Sequence, residues 1–506
     1  MNENYKRFTK HSLIFSVFLV FFVSYFFTFL RGSFSNPIFE ALIIILLFIV
    51  GLSVIFYSNF SNYDNLYKIG FIIILCFGLF ALFLNPVLLT PDEMEHYARS
   101  ELISEGNFIP DFIPHQGYQI ESSFYNLLYD YNNTIFHATH SNVGFNNSLV
   151  FYDSVFAHNP FFAYLISGFG IFLAKLLDFS VLNSLFLGRF LNLLVYTVIC
   201  TYALRKSPSF KVPLLVVSCL PLSISQAASF SIDGLIIAFS ILAVSYIIYM
   251  YKSEDSVSNW DLSIFFILTS LIGVMKVTNF LFLFLIFIIP RNKFKDDRIF
   301  YISRILPFVL SVFVLLYCGL YSSPKYYLSY RLGNIQRWGV NTTGQINYMV
   351  SNPFDSFKLF ALLPLDSWRL VILFFHFYHT VWSSFETPVF LIAIMYFVFY
   401  ILISFIVPDD LKLDKKSRII VFIIILLTYY GTYLLQYLSW TSVGSGRIMG
   451  VNSRYFIPLM FLIPMVCNVN VLGSDLKNSK SYICIIIVFV LVFLVGSLVM
   501  LVSSYY

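Results

Sequence analysis

Long apolar stretches recur along the whole chain and are separated by short polar segments and by three long ones. A helix needs about 20 apolar residues to cross a bilayer. We therefore predict an all-α polytopic membrane protein with about 13 transmembrane helices. The predicted spans are residues 12–30, 38–58, 69–89, 183–204, 212–229, 233–251, 261–274, 277–290, 299–321, 387–407, 419–438, 455–471 and 481–501.

Some apolar segments depart from this simple pattern. Residues 261–274 and 277–290 are both shorter than a full span, so we expect a bent hairpin around Lys276. Residues 160–177 contain Lys175 and fit either a further crossing or an interfacial helix. Only an interfacial helix leaves the basic clusters at 205–211 and 291–298 on the inner side, as the positive-inside rule requires. This choice predicts an inner N-terminus and an outer C-terminus.

Composition supports a membrane protein and excludes a soluble enzyme. The chain is 59% hydrophobic and only 11% charged, whereas soluble proteins contain about 25% charged residues. The net charge of +5 is not concentrated in a basic run with interleaved aromatics, so we expect the lipid bilayer and no nucleic acid as a partner.

We expect one integral membrane domain over residues 1–506, in which the polar content gathers in the long outer segments. Such loops are usually functional. Its parts are three N-terminal spans at 12–89, a first long outer loop at 90–159, an interfacial helix at 160–177, core spans at 183–321, a second long outer loop at 322–386 and C-terminal spans at 387–506.

The first outer loop opens with the most informative polar cluster. Threonine and proline at 90–91 predict a helix start, which places Asp92, His96 and Arg99 on one helix face. This arrangement suits an acid–base site beside an anion-binding group, although a capped interfacial helix explains the same residues. Asp92 and Glu93 could also bind a divalent cation, but adjacent carboxylates alone are a weak metal signal, and we predict no certain cofactor.

Two further charges border apolar segments. Asp233 lies where two predicted spans meet and is either functional or an N-cap. Lys276 lies within a long apolar stretch, where a cation costs about 2.5–3.5 kcal/mol unless it meets an anion or water. A lipid-linked phosphate would satisfy it, and snorkelling to the interface is the alternative.

The last polar cluster is a glycine-rich outer loop at 440–454 that carries Arg447 and Arg454 into an apolar segment. The forked guanidinium of arginine suits phosphate oxygens, and glycines allow the backbone to approach a ligand. Ordinary lipid phosphates also attract such arginines, so this composition alone does not specify a site.

These clusters, in this order, carry a resemblance to a known family. The matching stretches are Pro91-Asp92-Glu93 with His96 and Arg99, His158-Asn159-Pro160-Phe161-Phe162 with Tyr164, Gly188-Arg189 to Asn192, Leu220-Pro221 to Asp233, Lys276, and Gly450 to Pro458. Over residues 69–470 the chain resembles the bacterial membrane-protein family named domain of unknown function 2142. That family is itself similar to the GT-C superfamily of polyprenyl-phosphate-sugar glycosyltransferases. Asn452-Ser453 replaces the usual Gln-Gly of the family.

The resemblance implies a GT-C-like fold and an inverting glycosyltransferase in the bacterial plasma membrane, active on the extracytoplasmic side. Its partners would be a polyprenyl-phosphate-sugar donor and a glycan or glycolipid acceptor. Asp92 would be the general base. The implied site comprises Asp92, Glu93, His96 and Asp233 for catalysis, Arg99, Lys276, Arg447, Arg454 and Tyr455 for the donor phosphate, and Asn159, Tyr164 and Gln226 for positioning the acceptor.

Two other functions fit the same pattern of spans and outer loops. A polysaccharide polymerase or ligase would use a diphosphate-linked glycan in place of a monophosphate-linked sugar. A transporter or flippase for a lipid-linked sugar would need polar residues along a path through the bilayer, for which Arg189 and Lys276 are the main candidates.

Overall fold

The computed structural model describes most of the chain. The described residues are 37–58, 63–322, 338–366, 387–405, 413–467 and 480–506, apart from Phe112, Pro114, His115, Val155, Ala157 and His158. The predicted span at 12–30, residues 323–337 and 367–386 of the second outer loop, and His158 of the matching stretch therefore lie outside them.

The described segments are predominantly helical. In chain order the α-helices are α1 (Pro37–Ser58), α2 (Leu66–Leu84), α3 (Glu93–Ser104), α4 (Phe124–Tyr129), α5 (Leu165–Leu176), α6 (Val181–Lys206), α7 (Lys211–Ser218), α8 (Pro221–Ala227), α9 (Asp233–Lys252), α10 (Asn259–Met275), α11 (Asp297–Leu316), α12 (Thr342–Ser351), α13 (Pro353–Asp366), α14 (Thr387–Phe405), α15 (Lys415–Ser439), α16 (Ile457–Met460), α17 (Ile463–Cys467) and α18 (Lys480–Tyr505). The 3-10 helices are Tyr63–Asn65, Phe161–Tyr164, Val277–Ile288, Arg291–Lys293 and Ser453–Phe456, and Tyr317–Ser322 is a π-helix.

Seven helices in the described part of the chain are long and apolar enough to cross a membrane. They are Ile38–Ser58, Tyr63–Leu84, Val181–Lys206, Asp233–Lys252, Asp297–Leu320, Lys415–Ser439 and Tyr482–Tyr505. Each matches a predicted span, so the prediction of an all-α polytopic membrane protein is confirmed. The full number of about 13 crossings stays a prediction.

Two predicted spans are broken into short helices. Residues 212–229 form α7 and α8, and α8 begins at Pro221. Residues 455–471 contain the end of a 3-10 helix, then α16 and α17, which have Pro458 and Pro464 in their first turns. Proline lacks a backbone N–H and is tolerated best in the first turn of a helix, which is where Pro221, Pro458 and Pro464 lie in these short helices. The described part of each segment is therefore more than one helix, and the two crossings stay predictions.

The predicted bend at Lys276 is present. Helix α10 ends at Met275, Lys276 is extended with φ −147°, and the 3-10 helix Val277–Ile288 follows. The two apolar helices pack against each other. Lys276 therefore lies at the junction between two helices and not on the apolar face of a single helix.

The first outer loop folds into a small mixed structure. Strands β1 (Tyr118–Glu121) and β2 (Leu149–Tyr152) pair antiparallel, which the all-helical prediction did not include. Lys175 on α5 lies 3.2 Å from Glu101 and 2.8 Å from Glu121, and it also contacts Glu105. These ion pairs connect α5 with α3 and β1, so residues 160–177 pack onto the outer loop.

Helix α6 lies at the centre of the packing and contacts α2, α5 and α9. Its contact with α5 depends on two glycines. A Cβ atom at Gly170 would lie 2.7 Å from the Cα of Gly188, which is closer than real contacts allow. The two helices therefore touch backbone to backbone.

Arg189, one residue further along α6, connects this core to the first outer loop. Its Nε and Nη2 donate hydrogen bonds of 2.8 and 2.6 Å to the two carboxylate oxygens of Glu93, and both side chains are fully buried. Nη1 and Nη2 also donate to the carbonyls of Asn85 and Pro86, each at 2.9 Å. Arg189 thereby provides hydrogen-bond donors to the carbonyls after α2, and it also holds the first residue of α3 in place.

We predict that Arg189→Met lowers the free energy of unfolding by about 3–5 kcal/mol, because Glu93 is left buried without its partner. The double variant Glu93→Gln with Arg189→Met should recover part of this loss, since no unpaired charge remains. Thermal unfolding of the purified variants in detergent measures both effects. A double variant as unstable as Arg189→Met would contradict a role for the buried ion pair.

Candidate functional site

Asp92 lies immediately before α3 and not on it. Its backbone is left-handed (φ 63°, ψ 12°), and its carbonyl accepts hydrogen bonds from the N–H groups of Glu95 and His96. Aspartate tolerates this conformation better than most residues. The predicted helix start at 90–91 was therefore wrong, and Asp92 does not share a helix face with His96 and Arg99. The left-handed turn instead directs Asp92 towards the C-terminal half of the chain, where Arg454 contacts it.

Arg454 joins Asp92 to Asp233. Its Nη2 donates a 2.5 Å hydrogen bond to Oδ2 of Asp92, and its Nε lies 2.9 Å from Oδ2 of Asp233. Nη1 also donates a 3.0 Å hydrogen bond to the carbonyl of Pro91. Three distant segments therefore meet at one guanidinium: the start of the first outer loop, the first turn of α9 and the 3-10 helix Ser453–Phe456.

Lys276 supplies the second cation of this cluster. Its Nζ lies 3.8 Å from Oδ1 of Asp233 and 2.9 Å from the centroid of the Tyr455 ring. The face of an aromatic ring attracts a cation, so Tyr455 and Asp233 together offset the cost of burying this lysine. We refer below to Asp92, Asp233, Lys276, Arg454 and Tyr455 as the charged cluster.

The positive and negative charges of the charged cluster balance, but its side chains differ in their exposure to solvent. Two carboxylates face two cations, so the formal charges cancel. The side chains of Arg454 and Asp233 are 4% and 9% exposed, whereas that of Asp92 is 29% exposed. Asp92 is therefore the carboxylate of the cluster that an incoming group reaches most easily.

His96 and Tyr164 form a hydrogen-bonded pair on the outer-loop side of the cluster. Nδ1 of His96 and the hydroxyl of Tyr164 are 2.9 Å apart, and Nδ2 of Asn159 donates a 2.8 Å hydrogen bond to the same hydroxyl. Burial raises the pKa of Tyr164 above its ordinary value, so its hydroxyl stays protonated. The predicted acceptor residues Asn159 and Tyr164 thus lie together beside His96.

Arg99 holds the backbone of the outer loop. It is fully buried, and its Nη2 donates to the carbonyls of Phe108 at 2.8 Å and Asn159 at 3.3 Å. Its guanidinium also lies over the ring of Tyr164. These contacts place Arg99 beside the residues that position His96, and its predicted role at the donor phosphate stays a prediction.

The remaining predicted residues occupy different surroundings. Glu93 is paired with Arg189, whereas the neighbouring Asp92 is paired with Arg454. Arg447 precedes Arg454 in the same glycine-rich loop, and its side chain is exposed. Gln226 is fully buried on α8, next to the start of α9.

Sequence reasoning did not find the partner of Glu93. Arg189 was recognised only as an isolated charge within an apolar span. The useful signal was present, because an arginine in such a position needs an anion nearby. The sequence did not show which of several acidic residues in the outer loop supplies it.

The geometry also bears on the predicted cation at Asp92 and Glu93. The two carboxylates are adjacent in sequence, but each contacts a different arginine. Among the described residues, Glu101, Glu105 and Glu121 are the group of three acids close enough to share an ion. Lys175 contacts all three carboxylates and supplies the positive charge there.

The burial of His96 predicts a pH effect on stability. Burial lowers the pKa of His96 to about 4, whereas an exposed histidine has a pKa of about 6.5. Between these values the unfolded chain binds more protons than the folded protein, so folded-state stability falls as the pH falls through this window. From pH 7 to pH 4 the loss should be about 3 kcal/mol.

His96→Gln should remove this part of the pH dependence. Thermal unfolding of both proteins in detergent at pH 7, 6 and 5 measures the difference. The same decline in both proteins would show that His96 does not resist protonation in the folded state.

Comparison with known proteins places the chain in a family. The family model described as predicted membrane protein (DUF2142) matches residues 71–463 of the 506, close to the predicted extent of 69–470. No curated protein and no solved structure matches the chain. The match begins in α2, ends in α17 and includes the whole charged cluster. The chain therefore belongs to the DUF2142 family of predicted membrane proteins.

Proposed function

We propose that the chain is a membrane glycosyltransferase of the GT-C type. It transfers one sugar from a polyprenyl-phosphate carrier to a hydroxyl group of an extracytoplasmic glycan or glycolipid, such as a cell-wall polysaccharide, teichoic acid or capsule. The observation that carries the proposal is the charged cluster, in which the partly exposed carboxylate of Asp92 contacts the buried Arg454, while Asp233 contacts both Arg454 and the partly buried Lys276. The carboxylate suits removal of the proton from the acceptor hydroxyl, and the cations suit the negative charge on the departing phosphate.

In the proposed reaction, Asp92 accepts the proton of the acceptor hydroxyl as its oxygen attacks the anomeric carbon. The bond between that carbon and the phosphate oxygen breaks, and its electron pair leaves with the polyprenyl phosphate. Arg454 and Lys276 stabilise the negative charge that grows on this leaving group. Attack opposite the leaving group inverts the anomeric centre. Asp233 keeps both cations in position.

This role requires an exchange of partners at Arg454. In the structure its guanidinium binds Asp92, and a carboxylate that accepts such a hydrogen bond is a weaker proton acceptor. A phosphodiester that binds Arg454 competes with Asp92 for the same Nη2. Donor binding would therefore release Asp92, and the added negative charge would strengthen it as a base.

The surroundings of Arg189 support an enzyme over a transporter. A flippase needs polar groups along a path through the bilayer, and Arg189 was one of two candidates for such a path. Arg189 is fully buried and engaged with Glu93 and with backbone carbonyls. A polymerase or ligase differs from our proposal in its donor, so the assay below includes diphosphate-linked glycan.

We predict that Asp92→Asn lowers sugar transfer at least about 100-fold, the usual effect of losing a general base. Asparagine tolerates the left-handed backbone, so the fold should persist. The variant should bind undecaprenyl phosphate as tightly as the wild type or about 3–10-fold more tightly, because one competitor for Arg454 is gone. Transfer is measured in proteoliposomes with monophosphate-linked and diphosphate-linked donors.

Glu105→Gln is the matched control, since Glu105 is a carboxylate at the end of α3 that contacts Lys175 and lies outside the charged cluster. It should leave transfer and lipid binding unchanged. Full transfer activity in Asp92→Asn would rule out Asp92 as the base. Activity restricted to the diphosphate-linked donor would favour the polymerase or ligase.

We also propose a location in the bacterial plasma membrane with the charged cluster and the C-terminus on the extracytoplasmic side. Basic residues in the predicted inner loops support this orientation. In a cysteine-free background, Gly446→Cys should react with an impermeant maleimide added to intact cells, because this position is exposed and open. Asn292→Cys, exposed between two basic residues, should react only after lysis. The reverse pattern would contradict the orientation.

A further inference from the structure

The described part of the second outer loop carries large apolar side chains on its surface. The exposed fractions of these side chains lie between 47% and 75%. They belong to Ile346 and Val350 of α12 and to Phe354, Phe357 and Leu365 of α13, which we call the apolar row. Their spacing places them on one face of each helix. Exposed apolar surface of this kind marks an interaction site for protein or membrane.

A polar row lies beside the apolar row. Its members are Asn347, Ser351, Asp355 and Lys358, which are all exposed and each directly follow a residue of the apolar row. Successive residues of an α-helix point about 100° apart, so the two rows share an edge. Adjoining apolar and polar surfaces are typical of a helix that lies in the membrane interface.

The opposite face of α13 is also apolar, and it packs against the protein. Leu363 is only 3% exposed, and the ring of Phe360 lies 5.9 Å from the ring of Tyr437 in α15. A helix that is apolar on opposite faces needs an apolar surrounding on both sides. Protein supplies one side of α13, so the apolar row on the other side is suited to hydrocarbon.

The contacts of α12 and α13 with α15 set their depth. Helix α15 is long and apolar enough to cross a membrane. The hydroxyl of Thr342 donates a 2.9 Å hydrogen bond to the carbonyl of Leu438, and Tyr437, which contacts Phe360, is in the same last turn of α15. Both helices therefore lie at an end of a membrane span, where hydrocarbon meets the lipid head groups.

Helix α12 and the residues before it also hold the glycine-rich loop that leads to Arg454. The N–H of Val443 donates a 3.0 Å hydrogen bond to the carbonyl of Gly339. The N–H of Gly444 donates a 3.2 Å hydrogen bond to Oε1 of Gln345, whose side chain is fully buried. The position of α12 therefore sets the position of this loop.

We propose that α12 and α13 lie in the membrane interface on the side of the charged cluster and hold the glycine-rich loop at the lipid surface. The apolar row enters the leaflet by about 5–10 Å, and the polar row faces the head groups. The partner is the acyl-chain region and not a charged head group, because Asp355 and Lys358 carry opposite charges that cancel. This inference does not depend on the proposed function.

The test places a fluorophore on single cysteines of the cysteine-free protein in liposomes. Val350→Cys and Phe357→Cys report on the apolar row, and Asn347→Cys and Asp355→Cys are matched controls in the same two helices. Lipids with a nitroxide on the acyl chain should quench the probes in the apolar row, and iodide in the water should not. The controls should show the reverse preference. The results should agree between neutral and anionic phospholipids.

Three outcomes would overturn the proposal. Iodide could quench the apolar row as strongly as the polar row, which would place both in water. Protection of the apolar row from both quenchers would show that protein covers it, either a second copy or another segment of this chain. Quenching by nitroxide lipids in anionic liposomes alone would assign the contact to head-group charge.

A probe at Val443→Cys tests whether the helices hold the loop. Val443 is 41% exposed, so nitroxide lipids should quench this probe. Phe354→Asp with Phe357→Asp should abolish the quenching, because carboxylates are costly among acyl chains. Asn347→Asp with Ser351→Asp adds the same charge to the polar row and should leave the quenching unchanged. Equal quenching in both double variants, with equal melting temperatures in detergent, would contradict the link between the helices and the loop.

Discussion

Arg454 cannot give up its proton, so its burial requires carboxylates at contact distance. Asp92 and Asp233 meet this requirement, and Asp92 is 362 residues away in sequence. The start of the first outer loop, the first turn of α9 and a C-terminal 3-10 helix are thereby drawn to one point. Under the proposed function the same guanidinium binds the donor, because a phosphate could replace one carboxylate without leaving Arg454 unpaired.

Arg189 and Arg454 show that similar buried ion pairs can have different roles. Arg189 and Glu93 are both fully enclosed, so their contact fixes the outer loop on the core and leaves no room for a ligand. Arg454 instead contacts a carboxylate that is 29% exposed. Because Glu93 directly follows Asp92, the enclosed pair also supports the position of the accessible one.

Much of the architecture follows from local sequence patterns. Spans such as α6, α9 and α15 were predictable from hydrophobic length alone, and the bend at Lys276 from the shortness of its flanking segments. The breaks at Pro221 and Pro464 were missed because hydrophobicity continues through both prolines. The left-handed backbone of Asp92 and the pairing of Glu93 with Arg189 depend on contacts between distant segments. No local pattern contains that information.

The central claim is that a lipid-linked phosphate replaces Asp92 as a partner of Arg454. The most direct test is a cryo-electron microscopy structure of the protein with an undecaprenyl-phosphate-linked sugar bound. Our account predicts the phosphate within hydrogen-bond distance of Arg454 and Lys276, with the carboxylate of Asp92 released towards the anomeric carbon. A phosphate bound elsewhere, with Arg454 still between Asp92 and Asp233, would contradict it.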